Sequence, residues 1–354
     1  MQVVIIGAGI VGLHAARVAR EGGHDVWVLE KERFLGEHTS GRNTGVIHAG
    51  IFYKPGSLKE KTCIEGNRLT YEWLGRLKVP HVACGKWVVP IPSGLGQEGD
   101  LEPFFEKISR LPIPTPLLKS ADEVKREEPR LRKTQALFIP STGVMDAASY
   151  LNHLSSYLEG RGVQIILDCQ VTGQDHGALK TTKGDIHYDI AINCAGLFSD
   201  KIAHMFGITG YEIRPCRGDY YLLQGEFLRH PVYHLPPPQG QGLGVHLTPT
   251  LDHQTLIGPN AFFIEEKEDY HHHTDDMTPF REAVGNDLPT VAHPRLAKAY
   301  SGNRPKLFFK GEPCDDFTII QKDDSIHFLG IESPGLTAAP ALAQYITGIK
   351  NKRC

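Results

Sequence analysis

The sequence lacks any apolar run approaching the roughly 20 residues that cross a bilayer. It also lacks the basic excess that would mark nucleic acid or an anionic membrane as partner, since 38 Lys and Arg stand against 41 Asp and Glu. Its seven cysteines are odd in number and scattered, and none forms C-x-x-C. That spacing excludes a disulfide framework or a paired-cysteine zinc site and points to a reducing compartment, the cytoplasm. Internal repeats and low-complexity tracts are absent as well. A cleavable leader is not expected, because a glycine fingerprint already begins at Gly7. Prenylation is not expected either, because Cys354 is the last residue rather than the fourth from the end. The basic stretch from Lys350 to Cys354 reads as a solvated helix end, with peripheral contact at the inner membrane as the alternative. What is present is ordinary: 354 residues, 40% hydrophobic and 22% charged, enough for about two domains.

The most informative positive feature opens the chain. Val3-Val-Ile-Ile6 is a β-branched apolar run that predicts a buried parallel strand. It leads into Gly7-Ala-Gly9-Ile-Val-Gly12 and a helix over Ile10 to Glu21. The first glycine permits the turn, the second lets backbone approach a pyrophosphate, and the third lets helix pack on strand. Gly22-Gly23 ends the helix, Asp25 to Leu29 is a second strand, and Glu30 stands where a carboxylate receives a ribose. This is a dinucleotide site, with NAD and FAD equally open.

Downstream, a helix is expected from Ser57 to Leu77 and another from Tyr150 to Gly160. Strands are expected at Gln164 to Asp168, Tyr188 to Asn193 and Ser325 to Leu329, with a last helix over Ala338 to Ile349. Residues 81–140 and 211–310 read instead as short β runs broken by prolines. The pattern predicts an α/β protein with an α+β substrate part. A Rossmann-like domain from 1–80, 141–210 and 311–354 is interleaved with a mainly antiparallel β domain from 81–140 and 211–310. The seam between them is where a substrate belongs.

Ser40-Gly-Arg42-Asn43-Thr-Gly45-Val-Ile-His48-Ala-Gly50 is dense in small and polar residues around an apolar core, as expected of backbone following a ligand. His48 and His246 are candidate acid–base groups, because imidazole titrates near neutral pH. The run Tyr270-His-His-His273 does not hold a metal in this reading, since consecutive histidines share no helical face and no ligand stands at a known spacing.

These motifs, from Gly7–Gly12 and Glu30 through Arg42 to Ser57, resemble the D-amino-acid-oxidase-type superfamily of FAD proteins. Further matches are Gly143-Val-Met-Asp146, Asn193-Cys-Ala195-Gly196, Arg217-Gly-Asp-Tyr-Tyr221 and Leu243-Gly-Val-His246. After them come Gly258-Pro-Asn-Ala261, Arg304-Pro-Lys306, Asp315-Asp-Phe317 and Gly330 to Thr337. Within the superfamily they most resemble the L-2-hydroxyglutarate dehydrogenases and oxidases. Two departures stand out: the chain is shorter than that branch leads one to expect, and the stretch from Tyr270 is atypical.

The resemblance implies FAD, contacted by Gly7, Gly9, Gly12, Glu30, Arg42, Asn43, Gly45, Val171, Ala195, Gly196, Gly330, Ser333, Gly335, Leu336 and Thr337. It implies oxidation of an L-2-hydroxy acid, L-2-hydroxyglutarate, to the 2-oxo acid, by hydride transfer to flavin N5. His246 would take the hydroxyl proton, His48 would lie beside the isoalloxazine, and Arg304 would hold the carboxylate with its planar fork. Arg217, Tyr220 and Lys306 are candidates for a second carboxylate, and Tyr53 with Lys54 for the cavity wall. Electrons would leave to a quinone, a carrier protein or oxygen. Two alternatives stay open at this point: an amine or amino-acid oxidase of the same superfamily, and a non-catalytic flavin-binding redox protein.

Overall fold

Val3, Val4 and Ile5 have no exposed surface, as a strand covered on both faces requires. Each such residue contributes about 1.5–3 kcal/mol relative to its exposed state. Their strand, Gln2–Ile6, lies inside a six-stranded sheet of the computed structural model. The structure describes residues 1–91, 101–225, 227–235, 244–291 and 293–347, so Leu243 and the Lys350-to-Cys354 tail lie outside it.

Asp25–Leu29 and then Gln164–Ile166 flank Gln2–Ile6 on one side; Ile190–Asn193 and then Ser325–Leu329 lie on the other. All five strands are parallel, and Thr318–Lys322 adds an antiparallel edge. Ligands of such sheets gather beyond the carboxyl ends of the strands.

The helix Ile10–Glu21 buries Leu13, Ala15 and Ala16 completely beneath the sheet. Leu58–Leu77 starts at Ser57, whose hydroxyl accepts the Glu60 N–H and caps the first turn. It packs on the C-terminal helix Gly335–Leu342 at Gly66, where any Cβ would strike the Thr337 carbonyl. The helix expected from Tyr150 starts at Ala147, because the Asp146 carboxylate accepts the Ser149 N–H and caps it there. The charged segment near Asp122 is also helical over Ala121–Glu127, begun by a capping box at Ser120. The last helix starts earlier than expected, right after Pro334, and passes into a 3-10 turn at Ala343–Ile346.

A ten-stranded sheet forms the other half. Its spine is the antiparallel pair Tyr211–Leu223 and Leu296–Phe309, with one irregularity between Asp219 and Tyr221. One contact departs from the antiparallel expectation: Lys86–Val89 and Val232–His234 run parallel. Strand alternation gives this sheet two chemically distinct faces. Trp87, Val232, Leu247 and Ile257 pack into a core with Tyr221 and Phe280. The opposite face carries Lys86, Tyr233, His246 and Thr248. No helix of the described residues is long and apolar enough to cross a membrane.

Candidate active site

A cavity of about 880 Å³ runs from Gly7, Gly9 and Glu30 at the parallel sheet to His246 and Arg304 at the large sheet. At its first end, Gly7 has φ +102°, and a Cβ there would stand 2.6 Å from the Cys194 carbonyl oxygen. A Cβ on Gly12 would overlap the Gly7 carbonyl. The turn and the helix therefore fit only as glycines. Gly9, at the N-terminus of Ile10–Glu21, provides no side-chain cap, and Gly9, Ile10 and Val11 line the cavity. The N–H groups of the first turn and the helix dipole make this an anion site. The Ser40 hydroxyl accepts the Ile10 N–H at 3.1 Å. Glu30 is fixed at the wall by the N–H groups of Ala8 at 2.8 Å and Glu32 at 3.1 Å. The residues present fit the adenosine diphosphate half of FAD.

An irregular strap, residues 264–274, ties this end down. The Tyr270 hydroxyl lies 2.6 Å from His38 Nδ1, and His38 Nε2 lies 2.8 Å from the Glu32 carboxylate. The Arg42 guanidinium sits 4.1 Å over the Tyr270 ring. Lys31 bridges Glu32 and Glu268. Glu32, His38 and Glu268 approach one another as a ligand set would, but the Lys31 ammonium already provides the cation. The histidine run divides: His271 and His273 close on Asp269, while His272 Nε2 meets the Tyr220 carbonyl.

At the middle of the cavity, Asn43 clamps its own loop. Its amide donates to the Thr39 and Ser40 carbonyls, and its oxygen accepts the Gly45 N–H. The His48 N–H donates to Thr337 Oγ1 at 3.0 Å, and its carbonyl accepts from Asn67 at 2.9 Å. Two helices thus fix the backbone on both sides of one imidazole. The His48 ring lines the cavity with Nε2 3.4 Å from the Ser333 hydroxyl.

His246 is held differently. Its Nδ1 lies 3.1 Å from the Gly244 carbonyl, so Nδ1 carries the proton and Nε2 keeps an open lone pair. Its ring stacks on Tyr233 at 4.0 Å. Burial, then proximity to Lys86 and to His246, which would repel a second proton, pushes His48 down to about 3. Burial, reinforced by Arg304 and Lys86 against the Gly244 bond, also pushes His246 down to about 3. Both rings are neutral bases at physiological pH.

Arg304 lines the cavity beside Cys216, its register partner, and among the described residues its guanidinium meets only the Cys216 thiol, at 3.9 Å. No carboxylate among the described residues pairs with it. Tyr53 and Tyr220 share the wall, and burial raises both phenols so that they stay protonated donors.

Of the residues expected at the cofactor, Gly7, Gly9, Glu30, Arg42, Asn43, Val171, Ala195, Gly196, Ser333, Gly335 and Leu336 line this cavity. Gly12, Gly45, Gly330 and Thr337 act one layer back: Gly330 rests on Leu307, Gly45 passes under the Met145 carbonyl, and Thr337 holds His48. Arg217 departs from expectation. It is fully buried, donates to the Asp269 and His271 carbonyls, and pairs with the Asp269 carboxylate at 3.1 Å. The reason is parity, since Arg217 and Asn303 occupy the opposite face from Cys216 and Arg304. Lys306 lines the cavity but is engaged by Glu332 at 2.8 Å, which also binds Lys59 at 2.8 Å. Lys54 is exposed, outside the wall.

Ser40 belongs to the loop expected to follow a ligand, whereas Asn67, Tyr233 and Lys86 were not among the expected site residues. The last had a signal: a lone lysine heading the apolar run Trp87-Val-Val89.

The model of the FAD dependent oxidoreductase family matches residues 2–349. The human mitochondrial L-2-hydroxyglutarate dehydrogenase is 33% identical over 324 residues, covering 85% of this chain and 68% of the human one. The L-2-hydroxyglutarate dehydrogenase of Escherichia coli K12 is 29% identical, covering 97% and 91%. Among solved structures, the L-alpha-glycerophosphate oxidase of Mycoplasma pneumoniae superposes with TM-score 0.82 at 24% identity, covering 97% and 92%. The glycine oxidase of Geobacillus kaustophilus gives 0.80 at 16%, covering 96% and 92%. The last two share the fold, and their substrates differ.

Proposed function

The chain belongs to the FAD-dependent oxidoreductases and, within them, to the L-2-hydroxyglutarate dehydrogenases, and we propose that it oxidises L-2-hydroxyglutarate to the 2-oxo acid with Arg304 and His246 as its principal side chains. The observation that carries this reading is the Arg304 guanidinium, which faces the cavity without a carboxylate partner, beside a histidine whose tautomer is already fixed. A guanidinium left unpaired in a cavity is matched by the carboxylate of an incoming acid. Bound FAD supplies the two-electron acceptor.

The chain's own residues supply position and proton management. Arg304 holds the carboxylate next to the reacting carbon, and orientation of this kind lowers barriers more than any single contact. His246 Nε2 takes the hydroxyl proton. Its low intrinsic proton affinity keeps it deprotonated in the free enzyme, and the negative charge of bound substrate opposes Arg304 and raises that affinity when the proton must be taken. Tyr53 and Tyr220 donate hydrogen bonds from the same wall. His48, held between Asn67 and Thr337, shapes the cavity where the ring of the cofactor belongs.

Anaerobic mixing of the FAD-loaded protein with L-2-hydroxyglutarate, its D-enantiomer, glycerol 3-phosphate and a panel of amino acids tests the reading. The expected result is loss of absorbance at about 450 nm with the L-hydroxy acid alone. Reduction by an amino acid instead, or by none of these compounds, overturns it.

A further inference from the structure

A diacid presents two carboxylates, and Arg304 accounts for one. Among the other cations near the cavity, Lys59 and Lys306 share Glu332. Arg217 is turned away into the strap. Lys86 remains, at 1% exposure, with no carboxylate partner among the described residues. Its ammonium rests 4.4 Å from the Phe52 ring centroid and 4.7 Å from that of Tyr233. The hydroxyls of Tyr233 and Thr248 are close to each other and buried, yet neither completes a well-formed hydrogen bond. All three residues lie on the same sheet face as His246, on three adjacent strands, and Tyr233 lines the cavity. Buried hydroxyls without a well-formed hydrogen bond, beside a buried cation with aromatic rings but no carboxylate among the described residues, point to a ligand that completes them.

We propose that Tyr233, Thr248 and Lys86 form the subsite for the second carboxylate of the substrate, so that the enzyme selects 2-hydroxy diacids over monoacids of equal length. The inference rests on the reaction proposed above. Tyr233 makes the contact at the cavity wall, and Lys86 provides the compensating charge from behind its ring. The first carboxylate stays on Arg304, which fixes the orientation of the chain between the two cations.

This subsite has a pH signature. Burial pushes Lys86 down to about 7, opposed only by Cys63. The titratable groups around it are Cys63, His48, His246 and Tyr233. Burial pushes the Cys63 thiol and the Tyr233 phenol above the physiological range, while both histidines are already neutral. Lys86 is therefore the group that changes charge near neutrality. Its charged form is complete at low pH and lost as pH rises through about 7, so kcat/KM for the diacid falls over that interval.

The test is the ratio of kcat/KM for L-2-hydroxyglutarate to that for L-2-hydroxypentanoate, which has the same length and no second carboxylate. FAD-loaded wild type, Lys86→Met, Lys86→Arg and Tyr233→Phe are compared. Lys86→Met is expected to lower the ratio about a hundredfold and Tyr233→Phe about tenfold. Lys86→Arg is expected to keep most of the ratio and to move the alkaline fall upward, since guanidinium stays charged. An unchanged ratio in Lys86→Met and Tyr233→Phe overturns the subsite and leaves the reaction standing. Wild type reduced by the monoacid and not by the diacid overturns both. If Lys86→Met does not fold, an unaltered pH profile in Lys86→Arg is enough to overturn the assignment.

Discussion

The two ends of the cavity are built on opposite principles. At the adenosine end nearly every polar group is answered: Lys31 by Glu32 and Glu268, the His38 ring by Glu32 and Tyr270, Arg42 by the Tyr270 ring. At the other end Arg304 and Lys86 have no carboxylate among the described residues, two histidines are held neutral, and the buried Tyr233 and Thr248 hydroxyls have no well-formed hydrogen bond. Satisfied networks rigidify, whereas unsatisfied ones are completed by a ligand. The first end is organised for retention and the second for turnover. Substitutions at the two ends should therefore change different observables.

The largest expected effect lies at the unsatisfied end. Arg304→Ala should lower kcat/KM by about a thousandfold, as loss of a buried charge partner costs about 2–5 kcal/mol. FAD content should stay near wild type, and loss of bound FAD in step with activity would erase the distinction between the ends. Next in size, His246→Asn should slow anaerobic flavin reduction by about 10²–10⁴, the range for a general base. His48→Asn, carried through the same stopped-flow experiment, should slow it about tenfold. The reverse ranking transfers the proton-accepting role to His48. The smallest effect belongs to the satisfied end. Tyr270→Phe removes one hydrogen bond to His38, worth about 1 kcal/mol, and should speed FAD release about fivefold. Fluorescence of released flavin reads this directly, and an unchanged release rate denies the strap any part in retention.

Much of this organisation was legible before the structure. Gly7, Gly9, Gly12 and Glu30 carry their role in local spacing, because a strand, a turn and a helix of fixed length put them around one phosphate. The place of Arg304 and His246 on one cavity wall was also reachable by motif. Arg217 was not placed correctly, although alternation held a clue: it stands an odd number of positions from Tyr220, so one extended strand cannot aim both into one cavity. Lys86, Tyr233 and Thr248 were hidden for another reason. They come from strands far apart in sequence, and only the pairing of Val232 with both Leu247 and Trp87 brings them together. The strap was illegible too, since residues 264–274 have no periodicity and are positioned by hydrogen bonds to distant side chains.

The Thr337 hydroxyl that receives the His48 N–H belongs to a helix near the C-terminal end of the described chain. The parallel sheet likewise has one strand formed by Ser325–Leu329, beside Ile190–Asn193. During synthesis, the loop that carries His48 emerges before either element. A nascent chain of three hundred or so residues would carry a complete glycine fingerprint and an unsupported His48. A chain cut before Ser325 loses both the acceptor of the His48 N–H and one parallel strand, so it should be flavin-poor even when its N-terminal strands have paired.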